Sequence, residues 1–218
     1  KAGAINGHNY LSYYFSVRKD YQSALHQNDL VLKYAEERHD NAWKKNGLFM
    51  RTFILAEMKS FTEATRAAAD YKKLVEAELN KKQIRYYYAA MSKVELEKGD
   101  LADSIRHAED ALALMPYIDR TKPAYLFECL GQAHFRRGDW DKARAAYEMI
   151  PRLTTGRVQS GDLYAKSFYW LGQIFERQGD SAKARESYSK FLDLWKDANP
   201  EFSEVGDARS RLAALKIR

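Results

Sequence analysis

Few side chains in this sequence have the types and spacing that chemistry requires. None of the five histidines has another histidine or a cysteine at metal-ligand spacing. Gly3 and Gly7 do not form a phosphate-binding loop. Cys129 has no activating partner near it in the sequence, so we expect a small buried residue. These patterns predict a protein that is not an enzyme and that uses no metal and no cofactor.

The charge of the chain permits a nucleic-acid partner but does not favour one. Its 36 Lys and Arg residues and 30 Asp and Glu residues give a formal charge of +6. Residues 81–88 (KKQIRYYY) combine basic side chains with rings that could stack on bases. The two signs are intermixed along the chain, however, as on an ordinary solvated helix surface. Nucleic acid is therefore disfavoured as the partner.

The chain has neither a run of 18 apolar residues nor a signal peptide, which predicts no membrane insertion. A single cysteine leaves no internal disulfide and fits a reducing compartment. We therefore expect a cytoplasmic protein. The chain begins at Lys1, so we expect a piece of a larger protein; a missing upstream membrane segment would make it extracytoplasmic.

A repeat of about 40 residues organises the chain. Gly-Asp pairs at 99–100, 138–139 and 179–180, and weaker versions at 19–20 and 59–60, each precede a residue that we take as the anchor of a turn. The anchors are Tyr21, Phe61, Leu101, Trp140 and Ser181. Their spacings of 40, 40, 39 and 41 residues predict a series of helical hairpins.

Small residues keep the same phase on both sides of each turn. Those nine residues before the anchor are Ser12, Thr52, Ser92, Gly131 and Gly172. Those three residues after it are Ala24, Ala64, Ser104, Ala143 and Ala184. Two helices approach closely only where side chains are small, so we expect these positions to meet inside each hairpin. Glycine just past a helix end would supply a left-handed cap.

The phase of the repeat predicts ten helices in five hairpins and one further helix. First helices are expected near 4–18, 42–58, 83–98, 122–137 and 162–178, and second helices near 21–38, 61–79, 101–115, 140–150 and 181–197. The repeats are about 4–40, 41–81, 82–120, 121–160 and 161–198, in one domain over 1–218. A capping helix near 199–217 has one apolar and one charged face, which predicts that the natural C-terminus is present.

These hairpins resemble the tetratricopeptide repeat (TPR) family. The pattern FxxLGxxH at 127–134 is followed by GDWxxAxxxY at 138–147. It returns as FxxLGxxF at 168–175 and GDxxxAxxxY at 179–188. The period of about 40 is nearer that of HEAT and armadillo repeats, but the spacing within each hairpin is that of a TPR. The resemblance implies a right-handed α-solenoid of five hairpins plus a capping helix. The segment 188–215 resembles the C-terminal TPR region of multidomain bacterial signalling proteins, which implies a scaffold or adaptor within a larger regulatory protein.

The resemblance also implies a binding groove. First helices line the concave face of a TPR solenoid with residues 15, 12, 8 and 5 positions before the anchor. The candidate residues are Asn9, Tyr13, Asn46, Phe49, Phe53, Tyr86, Lys93, Tyr125, Glu128, Gln132, Tyr169 and Gln173. Aromatic rings anchor interfaces and amides can bond a peptide backbone, so the expected ligand is a protein or peptide segment.

Several alternatives stay open. A basic helical-repeat nucleic-acid binder would show steep salt dependence, and a structural or oligomerisation spacer would have a dry, self-paired groove, so a homo-oligomer is also open. The longer repeat could instead rotate the helices and bury the candidate rings between hairpins. A clamp for a chaperone C-terminal carboxylate is not expected. Such clamps use Lys, Asn and Arg at these positions, and only Lys93 matches.

Overall fold

The computed structural model describes residues 2–116, 123–153, 160–197 and 202–216. The chain divides into two compact units, Lys1–Leu114 and Met115–Arg218, here the N-terminal and C-terminal units. Within the described residues the regular structure is eleven α-helices and one 3-10 turn, with no strand. The predicted all-α class and its helical hairpins are confirmed. A single continuous solenoid over 1–218 and its repeat boundaries stay predictions.

The helices follow the predicted alternation of first and second helices. The N-terminal unit contains α1 (Ala2–Val17), α2 (Tyr21–Glu37), α3 (Asn41–Glu57), α4 (Phe61–Ala77), α5 (Ile84–Lys98) and α6 (Leu101–Ala113). The C-terminal unit contains α7 (Ala124–Arg137), α8 (Trp140–Arg152), α9 (Gly161–Arg177), α10 (Ser181–Leu194) and α11 (Ser203–Lys216). The predicted starts of the fourth first helix at 122 and of the capping helix at Asn199-Pro200 lie outside the described residues.

Each second helix begins at its predicted anchor, and in the first and last hairpins an aspartate side chain caps it. Asp20 accepts a hydrogen bond from the backbone N–H of Ser23 (3.2 Å), and Asp180 accepts one from the backbone N–H of Lys183 (3.0 Å). A side-chain oxygen at this position satisfies a backbone donor that the first helical turn leaves unpaired. The local sequence therefore fixes where the chain turns back.

The turns share one backbone geometry, with and without glycine. Gly99, Gly138 and Gly179 have φ angles of 94°, 80° and 78°, as predicted for left-handed caps. In the first two hairpins Lys19 and Lys59 take the same conformation, at 62° and 61°. A side chain with a Cβ is strained there, so the first two turns carry a penalty that the others avoid.

The close contact inside a hairpin is made in two ways. Ser12 donates from Oγ to the carbonyl of Ala24 (2.9 Å), so the predicted meeting of small residues is found in the first hairpin. In the last two hairpins the glycines face tyrosines of the second helix instead. A Cβ on Gly131 would lie 2.5 Å from the ring of Tyr147, and one on Gly172 would lie 2.6 Å from that of Tyr188. These glycines make room for a ring, which the prediction missed.

The core of the C-terminal unit lies between α7–α10 and α11. Tyr147, Ile150, Tyr188 and Phe191 are among its fully buried side chains. The predicted apolar stripe of the capping helix contributes to it, since Val205, Ala208 and Leu215 are buried. Helix α11 thus covers the end of this unit by packing on α10.

Candidate partner-binding surface

Three of the predicted groove rings come together in the N-terminal unit, where α3 packs against α5. The Phe49 ring centre lies 4.8 Å from that of Phe53, one helical turn away, and 5.8 Å from that of Tyr86, which it meets edge-on. We call Phe49, Phe53 and Tyr86 the aromatic cluster. The guanidinium of Arg85 lies 4.6 Å from the centre of the Tyr86 ring. Arg85 is itself buried, so it holds the ring in place.

The aromatic cluster is shared between the core and the surface. All three rings are half-buried. Phe49 and Phe53 pack on the buried residues Ala68, Ala90 and Met91, while Tyr86 packs on a neighbouring core group that includes Val75. The core thus fixes one side of each ring and leaves part of it accessible. Rings fixed in this way bind with little loss of conformational freedom.

Beside the aromatic cluster, alternating charges join the ends of α3 and α5. Lys93 binds Glu57 and also Glu97, the latter at 2.7 Å. Lys59 binds Glu97 from the other side. We call Glu57, Lys59, Lys93 and Glu97 the ion network. Its formal charge sums to zero, so it orders the surface without attracting ions of either sign strongly.

The environment of the ion network changes the pKa values of two groups. Burial, and then the nearby Glu57 carboxylate, raise the pKa of Tyr21 to about 12. Burial alone would raise the pKa of Glu97, but the ammonium groups of Lys93 and Lys59 outweigh it and hold that pKa below its ordinary value. Glu97 therefore stays ionised and the network stays intact near neutral pH.

The polar candidates of the N-terminal unit lie on the same helices. Asn46 is exposed on α3, three residues before Phe49 and so on the same helix face. Asn9 is half-buried and Tyr13 exposed on α1, which neighbours α3. Amides of this kind can bond the backbone of an extended peptide.

In the C-terminal unit two candidates are buried. Tyr169 is 7% exposed and Gln173 is 8% exposed. Helix α11 reaches the tyrosine, because Asp207 accepts a hydrogen bond from its hydroxyl at 2.8 Å. The ring also packs on Phe191, with centres 5.4 Å apart. The expectation that Tyr169 and Gln173 line an accessible surface is therefore wrong.

The other three candidates of this unit are half-buried on α7: Tyr125, Glu128 and Gln132. The amide of Gln132 donates to the hydroxyl of Tyr147 at 2.8 Å and to the carboxylate of Glu128 at 3.3 Å. Gln132 thus holds the ring that faces Gly131. One strip of rings running through all five repeats stays a prediction.

Sequence reasoning missed the partners that complete the surface, namely Glu57, Lys59, Glu97 and Arg85. A signal existed, because Glu57 and Lys93 are 36 residues apart and Lys59 and Glu97 are 38 apart. Opposite charges separated by slightly less than one repeat can pair across neighbouring hairpins. The contact between Arg85 and the Tyr86 ring has no comparable signal in the sequence, since the two residues are adjacent in the chain.

Comparison with known proteins supports the repeat pattern. The tetratricopeptide repeat profile matches residues 90–158 and again 130–199, together just over half of the chain. The chain belongs to the tetratricopeptide repeat family. As a TPR protein it is a protein–protein interaction scaffold, and proteins of this family are generally not enzymes.

Two solved structures are similar to this chain in fold. One is a thermophilic TPR protein of Thermus thermophilus, 18% identical, with a TM-score of 0.66 over 98% of this chain and 100% of that one. The other is the MamA protein, 16% identical, with a TM-score of 0.51 over 90% of this chain and 94% of that one. No curated protein matches the sequence. Among the described residues, none of the helices combines the length and hydropathy needed to cross a membrane.

Proposed function

We propose that this TPR protein holds a segment of a partner protein against the first helices α1, α3 and α5, within a larger regulatory protein of the cytoplasm. The observation that carries the proposal is the aromatic cluster: Phe49, Phe53 and Tyr86 are fixed from below by the core and accessible from above. Pre-positioned aromatic side chains are the groups that dominate binding energy at interfaces.

The surroundings of the aromatic cluster indicate the chemistry of the segment. Asn46 offers an amide to a peptide backbone next to the rings. Lys93 is already bound between Glu57 and Glu97, so a carboxylate of the ligand would have to displace one of them. The segment is therefore one that inserts apolar side chains and forms backbone hydrogen bonds.

The ion network also favours a protein over a nucleic acid. Nucleic-acid affinity comes mainly from Lys and Arg side chains that replace counterions at phosphates. On this surface Lys59 and Lys93 bind carboxylates, and the Arg85 guanidinium lies over the Tyr86 ring. Few basic groups here can reach a phosphate without breaking an existing contact.

Two adjacent tyrosines of α5 provide a matched test. Tyr86 belongs to the aromatic cluster, whereas the half-buried Tyr87 lies with its ring centre 5.4 Å from Lys72 of α4. A peptide selected from a random display library on the parent chain should bind Tyr86→Ala at least about ten-fold more weakly. Tyr87→Ala should keep the parent affinity. Fluorescence anisotropy measures both, with thermal melts to verify folding.

Three outcomes would contradict the proposal. Equal loss of affinity in both variants would show that the rings act only through the core. If the display library yielded no peptide that binds at this surface, a peptide ligand would be excluded. High affinity for single-stranded nucleic acid with a steep salt slope would favour the nucleic-acid alternative instead.

A further inference from the structure

A groove with a volume of about 590 Å³ lies between α9 and α10, the two helices of the last hairpin. Its floor is apolar, since Leu171 and Phe175 are buried and Phe168 is half-buried. Ser187 of α10 lies beside this floor. Helix α8 packs on α9, and α11 packs on α10. The groove is therefore open although the hairpin has a neighbour at each of its helices.

The third hairpin, α5–α6, shows what fills the same place. His107 stands six residues after its anchor, as Ser187 does. Tyr88 stands thirteen residues before its anchor, as Phe168 does. The rings of His107 and Tyr88 stack with centres 5.7 Å apart, and Nδ1 of His107 lies 2.6 Å from a carboxylate oxygen of Glu95. A planar ring of the chain itself therefore covers this position in the third hairpin.

The first hairpin also fills the position with its own side chains. Six residues after the anchor it has Gln27, whose side-chain oxygen lies 2.7 Å from Nδ1 of His8, and the ring of Tyr34 stacks on that of His8. In the last hairpin the serine supplies neither a ring nor an amide. The space that it leaves has an apolar floor and the volume of a ligand site, for which the usual range is about 300–1,000 Å³.

The charges at the rim of the groove are opposite to those of the third hairpin. They stand two, five and nine residues after the anchor. Those of α6 are Asp103, Arg106 and Asp110. Those of α10 are Lys183, Glu186 and Lys190. The first set sums to one negative charge and the second to one positive charge. The ammonium group of Lys183 lies 5.5 Å from the centre of the Phe175 ring, at the edge of the floor. An entering ring is thus favoured when an acidic group accompanies it.

We propose that this groove binds an aromatic side chain of a partner protein, with acidic residues next to it in the partner's sequence. The ring lies on Phe168 as His107 lies on Tyr88, and the acidic groups approach Lys183 and Lys190. A protein is the expected source because TPR proteins are interaction scaffolds. The groove belongs to the C-terminal unit and the aromatic cluster to the N-terminal unit, so either proposal can fail without the other.

The probe is the blocked tripeptide acetyl-Asp-Trp-Asp-amide, titrated into the isotope-labelled full chain and followed by NMR. The amide signals of residues 168–175 and 183–190, which line the groove, should shift. Replacing the tryptophan of the probe by leucine should weaken binding about five-fold, because leucine cannot stack on a ring. Replacing both aspartates by lysine should weaken it about five-fold as well, because the rim is basic.

Two variants of the chain test the floor and the rim. Ser187→His supplies the ring that the third hairpin has, so it should weaken binding of the probe at least about ten-fold by covering Phe168. Lys190→Glu should weaken it about five-fold. The matched control is Arg185→Glu, which changes the charge of α10 equally at a residue that does not line the groove. It should bind the probe as the parent chain does. Lys190 and Arg185 are both exposed, so both charge variants should fold.

Four results would overturn the proposal. The first is the absence of shifts in these signals at up to about 10 mM probe. The second is parent-like binding by a folded Ser187→His chain. The third is equal binding by Lys190→Glu and Arg185→Glu, a comparison that decides the matter even if Ser187→His does not fold. The fourth is binding of free indole-3-acetate as tight as that of the tripeptide, since the groove would then be a site for small aromatic acids.

Discussion

The two units fill the contact inside the hairpin with different pairs of side chains. Nine residues before the anchor the N-terminal unit has Ser12, Thr52 and Ser92, and the C-terminal unit has Gly131 and Gly172. Seven residues after the anchor the N-terminal unit has Asn28, Ala68 and Ala108, and the C-terminal unit has Tyr147 and Tyr188. In the C-terminal unit the first helix thus has the smaller residue and the second helix has the larger one.

In the C-terminal unit the two positions face each other, so the size of one residue limits the size of the other. Protein interiors are close-packed, so the summed volume across a helix contact is constrained while its division is free. The C-terminal unit gains a buried ring and its hydroxyl bonds from this choice, such as Tyr188 to Glu176 at 2.5 Å. In return, the glycine position tolerates no larger residue, because the tyrosine ring lies directly against it.

The units also differ in the exposure of the candidate ring at one repeat position. Phe49 and Tyr169 stand at the same repeat position, twelve residues before their anchors. Phe49 is half-buried beside Tyr86 of α5, whereas Tyr169 is buried with its hydroxyl on Asp207 of α11. The next first helix decides the exposure in each case. A carboxylate at a suitable place on α11 turns a potential surface ring into a core ring.

The largest expected effect is from Gly172→Leu, which puts a side chain where the Tyr188 ring lies. We expect the free energy of unfolding of the C-terminal unit to fall by about 3 kcal/mol, at the upper end for overpacking. Urea denaturation followed by the fluorescence of Trp170 and Trp195 measures it. Gly206→Leu is the control and should be neutral or slightly stabilising.

A double variant sharpens the comparison. Gly172→Ser with Tyr188→Ala recreates the Ser92 and Ala108 pair of the N-terminal unit. The stability lost in the double variant should be smaller than the sum of the losses in Gly172→Ser and Tyr188→Ala alone, because the serine then has room. Losses that simply add would show that the volumes at these positions are not coupled.

The next effect concerns alkaline pH. Burial, and then the bond to Glu176, raise the pKa of Tyr188 above its ordinary value of 10.0. The neutral phenol therefore stabilises the fold fully below about pH 10, and this contribution falls as the pH rises towards the folded-state pKa. At about pH 11 one such tyrosine has lost about 1.4 kcal/mol.

Tyr188→Phe tests this point, because phenylalanine has no proton to lose. The decrease in unfolding free energy between about pH 8.5 and about pH 11 should be smaller by about 1.4 kcal/mol than in the parent chain. Tyr10→Phe, at an exposed ring, should leave the decrease as it is in the parent. An unchanged decrease in Tyr188→Phe would show that its hydroxyl ionises as readily in the fold as outside it.

The smallest effect is expected at the turns. Lys19 has a φ of 62° where the later hairpins have glycine. Lys19→Gly should raise the free energy of unfolding by about 0.5 kcal/mol, because relief of the strain is partly offset by the greater freedom of glycine in the unfolded chain. Gly179→Lys should lower it by about 1 kcal/mol. A stabilising Gly179→Lys would mean that the turn geometry carries no strain.

Local order is what the sequence by itself determined. The anchors Tyr21 and Ser181 are helix starts because the aspartate before each caps the first turn, and Gly99 and Gly179 are left-handed caps because only glycine takes that conformation without strain. These features depend on a few neighbouring residues, so their period can be read directly from the chain. The helical hairpins and the TPR membership follow from it.

The tertiary structure alone decided what each phase position faces. Phase gives the direction of a side chain around its helix, but burial depends on a residue about 40 positions away. For this reason Tyr169 could be placed on the inner side of α9 but not known to be covered by Asp207. Lys93 was likewise expected to face a ligand, whereas Glu57 and Glu97 hold it. The exposure of a side chain depends on the neighbouring repeats, so it cannot be predicted from the period of a single repeat.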